Sequence, residues 1–259
     1  MKRLSVIIGL VLLLAACTGD KAMMPLLERA EAYLPEYPDS ASMVLDSISP
    51  LQGSGERVRS LYGLLRTMTD AMEGKGMTSD SLIRPAYIYY KESSSPDDTR
   101  RLGRSAFYLA QFEASRDSTK RAEDLFREAI KYSEQVEDWR TCYLAHSHLA
   151  NSIKWGNAES AILLRKEAIR IYKDKCNNKP SNHISILNSL SNDYQTAGYT
   201  DSAFACANEA YQIACNEQLE QNQYETLRAL SALYYETGDY PKALELAKQG
   251  DAWIDRTNS

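Results

Sequence analysis

Glycine and proline are scarce in this chain, which has 12 and 8 of them among 259 residues and carries no low-complexity tract. Charged residues make up 25% of the sequence and apolar residues 44%. This composition excludes a disordered chain and a glycine- and proline-rich fibrous one. The apolar content is enough for a sizeable core, in one domain or in one extended array of helices.

Catalytic and metal-binding motifs are lacking as well. The sequence holds no HExxH, GxSxG, Walker or Rossmann glycine pattern and no CxxC pair. His146 and His148 stand two apart on a predicted helix, so they point about 160° apart. We therefore expect no enzymatic activity, no metal site and no cofactor. The cysteines after residue 17 are expected to be small core residues, and a Cys142–Cys176 link remains an alternative.

The N-terminus predicts an export signal. Lys2 and Arg3 precede an apolar run over 4–16, and this run is shorter than the ~20 residues that span a membrane. It ends in LAAC, which resembles the lipobox of bacterial lipoproteins, in which the cysteine is lipidated and becomes the new N-terminus. An ordinary secretory signal with an incidental Cys17 is the alternative.

The lipobox resemblance implies a signal peptide over 1–16 and a lipidated Cys17 with a short tether over 17–23. The rest of the chain, over 24–256, is predicted to be a helical repeat domain. Removal of 1–16 takes away two basic residues and no acid, which changes the net charge from −5 to −7. Because the chain is acidic and shows no basic stripe, we expect no nucleic-acid partner. The lipid at Cys17 is the expected membrane contact.

Two stretches near the C-terminus predict helical hairpins. SNDYQTAGYTDSAFACA and ALYYETGDYPKALELA align on Gly198 and Gly238, which are 40 positions apart. Apolar and small residues at i, i+3, i+4 and i+7 flank each glycine, which indicates two amphipathic helices joined by a turn. We expect Gly238 to end the first helix in the left-handed conformation, and Asp239 and Pro241 to begin the second. A fixed period of this length indicates a stacked array.

These stretches resemble the tetratricopeptide (TPR) motif, and the last repeat carries its positions at Leu227, Leu230, Ser231, Tyr234, Gly238, Ala243 and Ala247. Weaker copies are anchored at Ala122 and Ala161, and the second has Arg165 where the family has a small or aromatic residue. The N-terminal part indicates two more pairs, one of them over 57–73 and 79–92. The resemblance implies an all-α, TPR-like right-handed superhelix of about six helical hairpins.

Two N-terminal segments are also similar to a group of envelope TPR proteins of gut anaerobes: AEAYLPEYPDSASMVLDSI and MTSDSLIRPAYIYY. Many of those proteins continue into a transmembrane helix and a cytoplasmic helix-turn-helix regulator. This sequence carries neither, so we do not expect a direct role in transcription.

In TPR arrays the first helix of each pair lines a concave face that holds an extended partner. The family's groove positions fall on nine residues of this chain: Arg104, Gln111, Ser147, Asn151, Asn188, Asn192, Gln195, Arg228 and Tyr235. His146 replaces Ser147 if the register is one residue off. Asparagine amides suit a peptide backbone, and arginines suit carboxylates. The alternative is that these are ordinary solvated residues on an exposed helix face.

The last hairpin has no following repeat in the sequence to cover apolar residues such as Leu244 and Leu246. We expect either an interaction surface there, including self-association through the C-terminal hairpin, or a shortened relative of a longer protein. The main functional hypothesis is a lipid-anchored TPR scaffold or adaptor that binds a protein or peptide in the envelope of a Gram-negative bacterium, at the outer rather than the inner membrane. The alternatives are a periplasmic sensory component of a signalling system and a TPR component of outer-membrane protein assembly.

Overall fold

The structure is a computed structural model, and it describes residues 20–48, 51, 53–93, 95–176 and 179–257. All regular structure within these ranges is helical, with no strand among them. The prediction of an all-α, TPR-like repeat fold is confirmed. The predicted signal peptide over 1–16 and the lipidation site at Cys17 lie outside the described residues.

The helices of the described chain pair in sequence order into six hairpins, as predicted. The pairs are α1 (described over 20–33) with α2 (Pro38–Ser47), α3 (Glu56–Met72) with α4 (Ile83–Glu92), α5 (Pro96–Ser115) with α6 (Thr119–Gln135), α7 (Trp139–Ile153) with α8 (Ala158–Lys175), α9 (Pro180–Thr196) with α10 (Thr200–Asn216), and α11 (Glu220–Glu236) with α12 (Tyr240–Thr257).

Two compact units divide the chain after Val136, so that α1–α6 form the first unit and α7–α12 the second. The core of the first unit includes fully buried leucines from three helices, with Leu27 on α1, Leu45 on α2 and Leu61 on α3. In the second unit, the alanines of α10 pack against the leucines of α11. Small residues on one helix let the next helix approach closely, which explains why alanine anchors recur in the sequence pattern.

The turn after α11 has the structure that its residues predict. Gly238 is in the left-handed region at φ +86°, and the Asp239 N–H donates to the Tyr234 carbonyl at 2.9 Å. This is the hydrogen bond that closes a Schellman motif. The Asp239 carboxylate then accepts from the Lys242 N–H at 3.1 Å, which satisfies one of the open donors of α12. Pro241 lies in the first turn of α12, where no amide hydrogen is needed.

Three other turns have the same left-handed residue without glycine. Asp117, Glu137 and Gln218 have φ values of 58°, 55° and 53°. The amide that follows the turn residue again bonds five residues back, at 3.0 Å from Ser118 and 2.9 Å from Leu219. The turns at Asp117 and Gln218 therefore close by the same hydrogen bond, which offsets the steric cost that a side chain has in this region.

Two helix starts differ from the sequence expectation. Helix α4 begins at Ile83 rather than 79, because Pro85 has no amide hydrogen and fits only in a first turn. Helix α1 already includes 20–23, which the sequence assigned to the tether. The Asp20 carboxylate accepts from the Gly55 N–H at 2.9 and 3.0 Å and so holds this end of α1 against the start of α3. None of the helices in the described ranges is long and apolar enough to cross a membrane.

Candidate functional site

A polar groove lies in the second unit, between the first helices of two consecutive hairpins. Its cavity has a volume of about 180 Å³ and lies between α7 and α9. The lining residues are mostly neutral and polar: Tyr143, Leu144, Ser147, His148 and Asn151 from α7, Arg165 from α8, and Asn182, Ser185, Ile186 and Ser189 from α9. We call this the α7/α9 groove.

Arg165 forms the floor of the α7/α9 groove and is 1% exposed. Its Nε donates to Asp193 Oδ2 on α9 at 2.8 Å. Its two terminal nitrogens donate to the Ser147 carbonyl at 2.8 Å and to Asn151 Oδ1 at 2.6 Å, both on α7. A buried guanidinium is tolerated only when its charge and donors are met. Arg165 therefore ties the two walls of the groove together from below.

Ser147 contributes to the wall of the groove a buried hydroxyl without a hydrogen-bond partner in the described part of the chain. The residue is 9% exposed and lines the cavity, and its Oγ has no hydrogen-bond partner among the described residues. A buried hydroxyl without a partner costs about 1 to 3 kcal/mol. Because the Oγ atom itself is buried, a bound molecule removes this cost only if the groove opens at Ser147.

His148 carries no charge near neutral pH. It is half-buried in the wall of the groove, and burial, followed by the nearby charge of Arg165, lowers its pKa to about 4. Burial also lowers the pKa of His146, whose charged neighbours are Glu167 and Arg170 of α8. The two imidazoles therefore meet different surroundings, as their spacing predicts. The charged groups at the groove are the buried Arg165–Asp193 pair, and the other lining residues carry no charge.

The structure brings together only part of the predicted binding set. Ser147 and Asn151 line the α7/α9 groove. Asn192 lies beside α7, where its Oδ1 accepts from Lys154 Nζ at 2.8 Å. Asn188 is half-buried, and its Oδ1 has no hydrogen-bond partner within the described part of the chain. Gln195 donates to Glu236 of α11 and so belongs to the contact between two hairpins.

The remaining predicted residues lie elsewhere. Arg104 and Gln111 belong to α5 in the first unit, where Arg104 lies 3.5 Å from the Glu31 carboxylate of α1. Arg101 shares that carboxylate at 2.8 Å, so Arg104 is part of an ion cluster within its own unit. Arg228 and Tyr235 lie on α11 and line a second cavity of the second unit.

That second cavity lies between α11 and α12 and has a volume of about 610 Å³. We call it the α11/α12 groove. Its large side chains are well exposed, with Tyr235 at 65%, Tyr240 at 60% and Leu244 at 57%. Leu246, which the sequence also placed on this surface, is buried instead. An open apolar surface on the last hairpin is therefore present, although it involves one leucine rather than two.

Sequence reasoning missed Arg165, Asn182, Ser185 and Ser189 as groove residues. Arg165 stood out as a departure from the TPR pattern, and that departure was the available clue, since an arginine at a buried position needs partners nearby. The small polar residues of α9 gave no such clue, because serine and asparagine are common on any exposed helix face.

The chain matches no protein-family model and no curated protein. Several solved structures share its fold. The apo form of RapI superposes with a TM-score of 0.68 at 11% identity, covering 92% of this chain and 67% of RapI. The TPR-like repeats of a putative kinesin light chain from Podosopora anserina give 0.60 at 14% identity, covering 78% and 97%.

A third similar structure contains a bound peptide. The Rap conjugation gene regulator of plasmid pLS20, in complex with the Phr* peptide, gives a TM-score of 0.54 at 12% identity. The match covers 88% of this chain and 62% of that regulator, so this chain spans about two thirds of the Rap chains that it resembles. Similarity at this level of identity establishes the TPR-like fold.

Proposed function

We propose that this chain is a lipid-anchored TPR adaptor of the bacterial cell envelope, and that its α7/α9 groove holds an extended segment of a partner protein. The observation that carries the proposal is a groove between two first helices whose lining is mostly neutral and polar. First helices of successive pairs are the elements with which TPR arrays hold extended partners.

The groove chemistry favours a peptide backbone over a charged group. Arg165 is already engaged by Asp193, Ser147 and Asn151, so the floor contributes little free charge. Hydroxyl and amide side chains supply both donors and acceptors, which is what a peptide unit with one N–H and one C=O requires. The pLS20 Rap regulator, which has a similar fold, is a protein known in complex with a peptide.

We further propose that the chain acts by binding rather than by catalysis. A general base works best with a pKa near the operating pH. His148, the imidazole in the groove, has its pKa lowered to about 4 and is next to the charge of Arg165. The sensory alternative uses the same groove, with a peptide signal as its ligand, and the similarity to Rap regulators favours it as the second candidate.

Site-directed photocrosslinking tests the groove. The full-length chain carries p-benzoylphenylalanine at Ser189, which lines the groove, or at Leu163, which is 67% exposed on α8 and serves as the control. We expect an ultraviolet-dependent adduct from position 189 in native envelopes and none from position 163. Equal adducts from both positions, or none from either, would contradict a partner in the groove.

A double variant measures the groove's share of the affinity. Asn182 and Ser185 are exposed lining residues, and Asn182→Ala with Ser185→Ala costs the core only the contact of Asn182 with the Tyr172 hydroxyl, which keeps its bond to the Lys179 carbonyl. Two lost hydrogen bonds at about 1 kcal/mol each correspond to a rise in Kd of roughly 10- to 30-fold for the captured partner. Unchanged affinity would place the partner elsewhere. A captured regulator would favour the sensory alternative over the scaffold.

Lipidation is tested separately. We expect Cys17→Ala to abolish labelling by an alkyne fatty acid and to release the chain from the membrane fraction, because each buried CH₂ contributes about 0.8 kcal/mol to anchoring. Cys142→Ala, at a buried position of α7, is the control and should keep both properties. Labelling that survives Cys17→Ala would contradict the lipobox assignment. For the lipidated wild-type chain, separation of outer- and inner-membrane fractions shows which membrane holds it.

A further inference from the structure

The α11/α12 groove continues a packing surface that is filled one hairpin earlier. In the fifth hairpin, the groove between α9 and α10 is covered by α11, and Tyr234 of α11 packs on Phe204 with ring centroids 4.7 Å apart. Leu244 is 40 positions after Phe204, at the same place in the repeat. No described helix covers Leu244, which is 57% exposed. The groove therefore has the form of a hairpin-stacking surface without its next helix.

The size and lining of this groove fit a protein surface. Its volume of about 610 Å³ is lined by three tyrosines and Leu244 around a floor of small residues. Tyr235 and Tyr240 meet edge to face at 5.3 Å, which holds both rings at the turn end of the hairpin. Exposed aromatic residues of this kind dominate the binding energy of protein interfaces.

The charges of the groove are separated along α11. Arg228 lies over the Tyr224 ring at 5.6 Å, and Gly250 of α12 lies against the same ring, so this is the end of the groove far from the turn. Glu236 ends α11 at the turn. Eight residues of helix separate Arg228 from Glu236, which is about 12 Å. Asp251 of α12 also lines the far end.

We propose that the α11/α12 groove docks a second copy of this chain through a two-fold axis. In such a contact the same surface of each copy meets the other in the opposite direction. Every contact between residue i of one copy and residue j of the other therefore occurs twice, once in each direction. Arg228 of each copy then faces Glu236 of the other. The exposed tyrosines and Leu244 of both copies cover one another, as α11 covers Phe204 within the chain.

The expected dimer is weak in solution. An 18-residue helix is about 27 Å long, and two neighbouring helices give a face about 20 Å wide, so the pair buries roughly 1,000 Å² in total. This is at the lower end of specific interfaces, where micromolar dissociation constants are common. This dimer uses a surface separate from the α7/α9 groove, so each proposal stands or fails on its own measurement.

Sedimentation velocity of the detergent-solubilised full chain, from about 1 to 200 μM, tests the dimer. We expect a concentration-dependent shift from monomer to dimer. Leu244→Glu should raise the dissociation constant at least tenfold, because it places a charge in the apolar contact. Leu163→Glu, at a leucine of α8 that is at least as exposed, is the matched control and should leave the dimer unchanged. Equal thermal melts of the two variants exclude misfolding.

Charge reversal identifies the partner as a second copy. Arg228→Glu and Glu236→Arg, each prepared alone, should both stay monomeric because their facing pairs carry like charges. Mixed one to one, the two variants place opposite charges in both pairs, and the dimer should return. A wild-type chain that stays monomeric throughout the range, a dimer insensitive to Leu244→Glu, or a mixture without recovery would each overturn the proposal.

Discussion

Asp193→Ala is expected to lower the free energy of unfolding of the second unit by about 3 to 5 kcal/mol, because it leaves the Arg165 guanidinium buried without its counter-charge. The side chains of Arg165 and Asp193 are 2% and 1% exposed, so neither charge is screened by water. The pair joins α8 to α9, and the other Arg165 donors reach α7. Loss of the carboxylate therefore weakens the packing of three helices together.

Tryptophan fluorescence during urea unfolding measures this effect on the second unit directly. The three tryptophans of the chain, Trp139, Trp155 and Trp253, all belong to the second unit, so their transition reports on that unit even in the full-length protein. The midpoint should fall in Asp193→Ala, and the photocrosslink at Ser189 should fall with it, since the same pair supports the groove walls.

Arg170→Met is the matched control for a lost ion pair. Arg170 pairs with Glu167 on the exposed face of α8, where its side chain is 58% exposed, and exposed pairs contribute at most about 1 kcal/mol. An Asp193→Ala effect as small as that of Arg170→Met would contradict the structural role of the buried pair. Arg165→Met combined with Asp193→Leu should cost less than the sum of the single changes, since neither charge is then left alone.

The hairpins were predictable from the sequence because their turns and helix faces carry local signals. The turn after α11 contains three residues with strong local preferences: Gly238 for the left-handed conformation, Asp239 for a helix start and Pro241 for a first helical turn. All three have these roles in the structure, as expected. The turns at Asp117 and Gln218 have the same backbone shape without glycine. Without glycine, no residue in these turns signals the left-handed conformation in advance.

The candidate groove was only partly predictable, for a different reason. Matching a residue to a position of the TPR motif predicts which helix face it occupies. It does not predict whether a neighbouring residue already bonds to its polar atoms. Asn192 and Gln195 are on first helices as expected, yet they bond to Lys154 and to Glu236. The Ser147 carbonyl accepts from Arg165, whereas its buried hydroxyl has no partner among the described residues. Such assignments depend on long-range contacts, which the sequence leaves unspecified.

Acid should destabilise the second unit well before it affects the first. All three histidines of the chain lie in the second unit, and burial lowers the pKa of His146, His148 and His183. When the folded pKa is below the unfolded value of about 6.5, the unfolded chain binds more protons as the pH falls. The stability that depends on neutral His148 is therefore complete above pH 6.5 and is lost progressively as the pH falls toward 4.

His148 supplies the largest share of this effect. Its pKa of about 4 keeps the folded imidazole neutral at pH 5, where an unfolded histidine is almost fully charged. The loss between pH 7 and pH 5 is then about 2 kcal/mol, from 1.36 kcal/mol for each unit below 6.5. His148→Gln should flatten the tryptophan-detected midpoint across this range, whereas His183→Gln should leave most of the slope. An unchanged slope in His148→Gln would show that folding does not lower the pKa of His148, and the groove would then gain a positive charge below about pH 6.5.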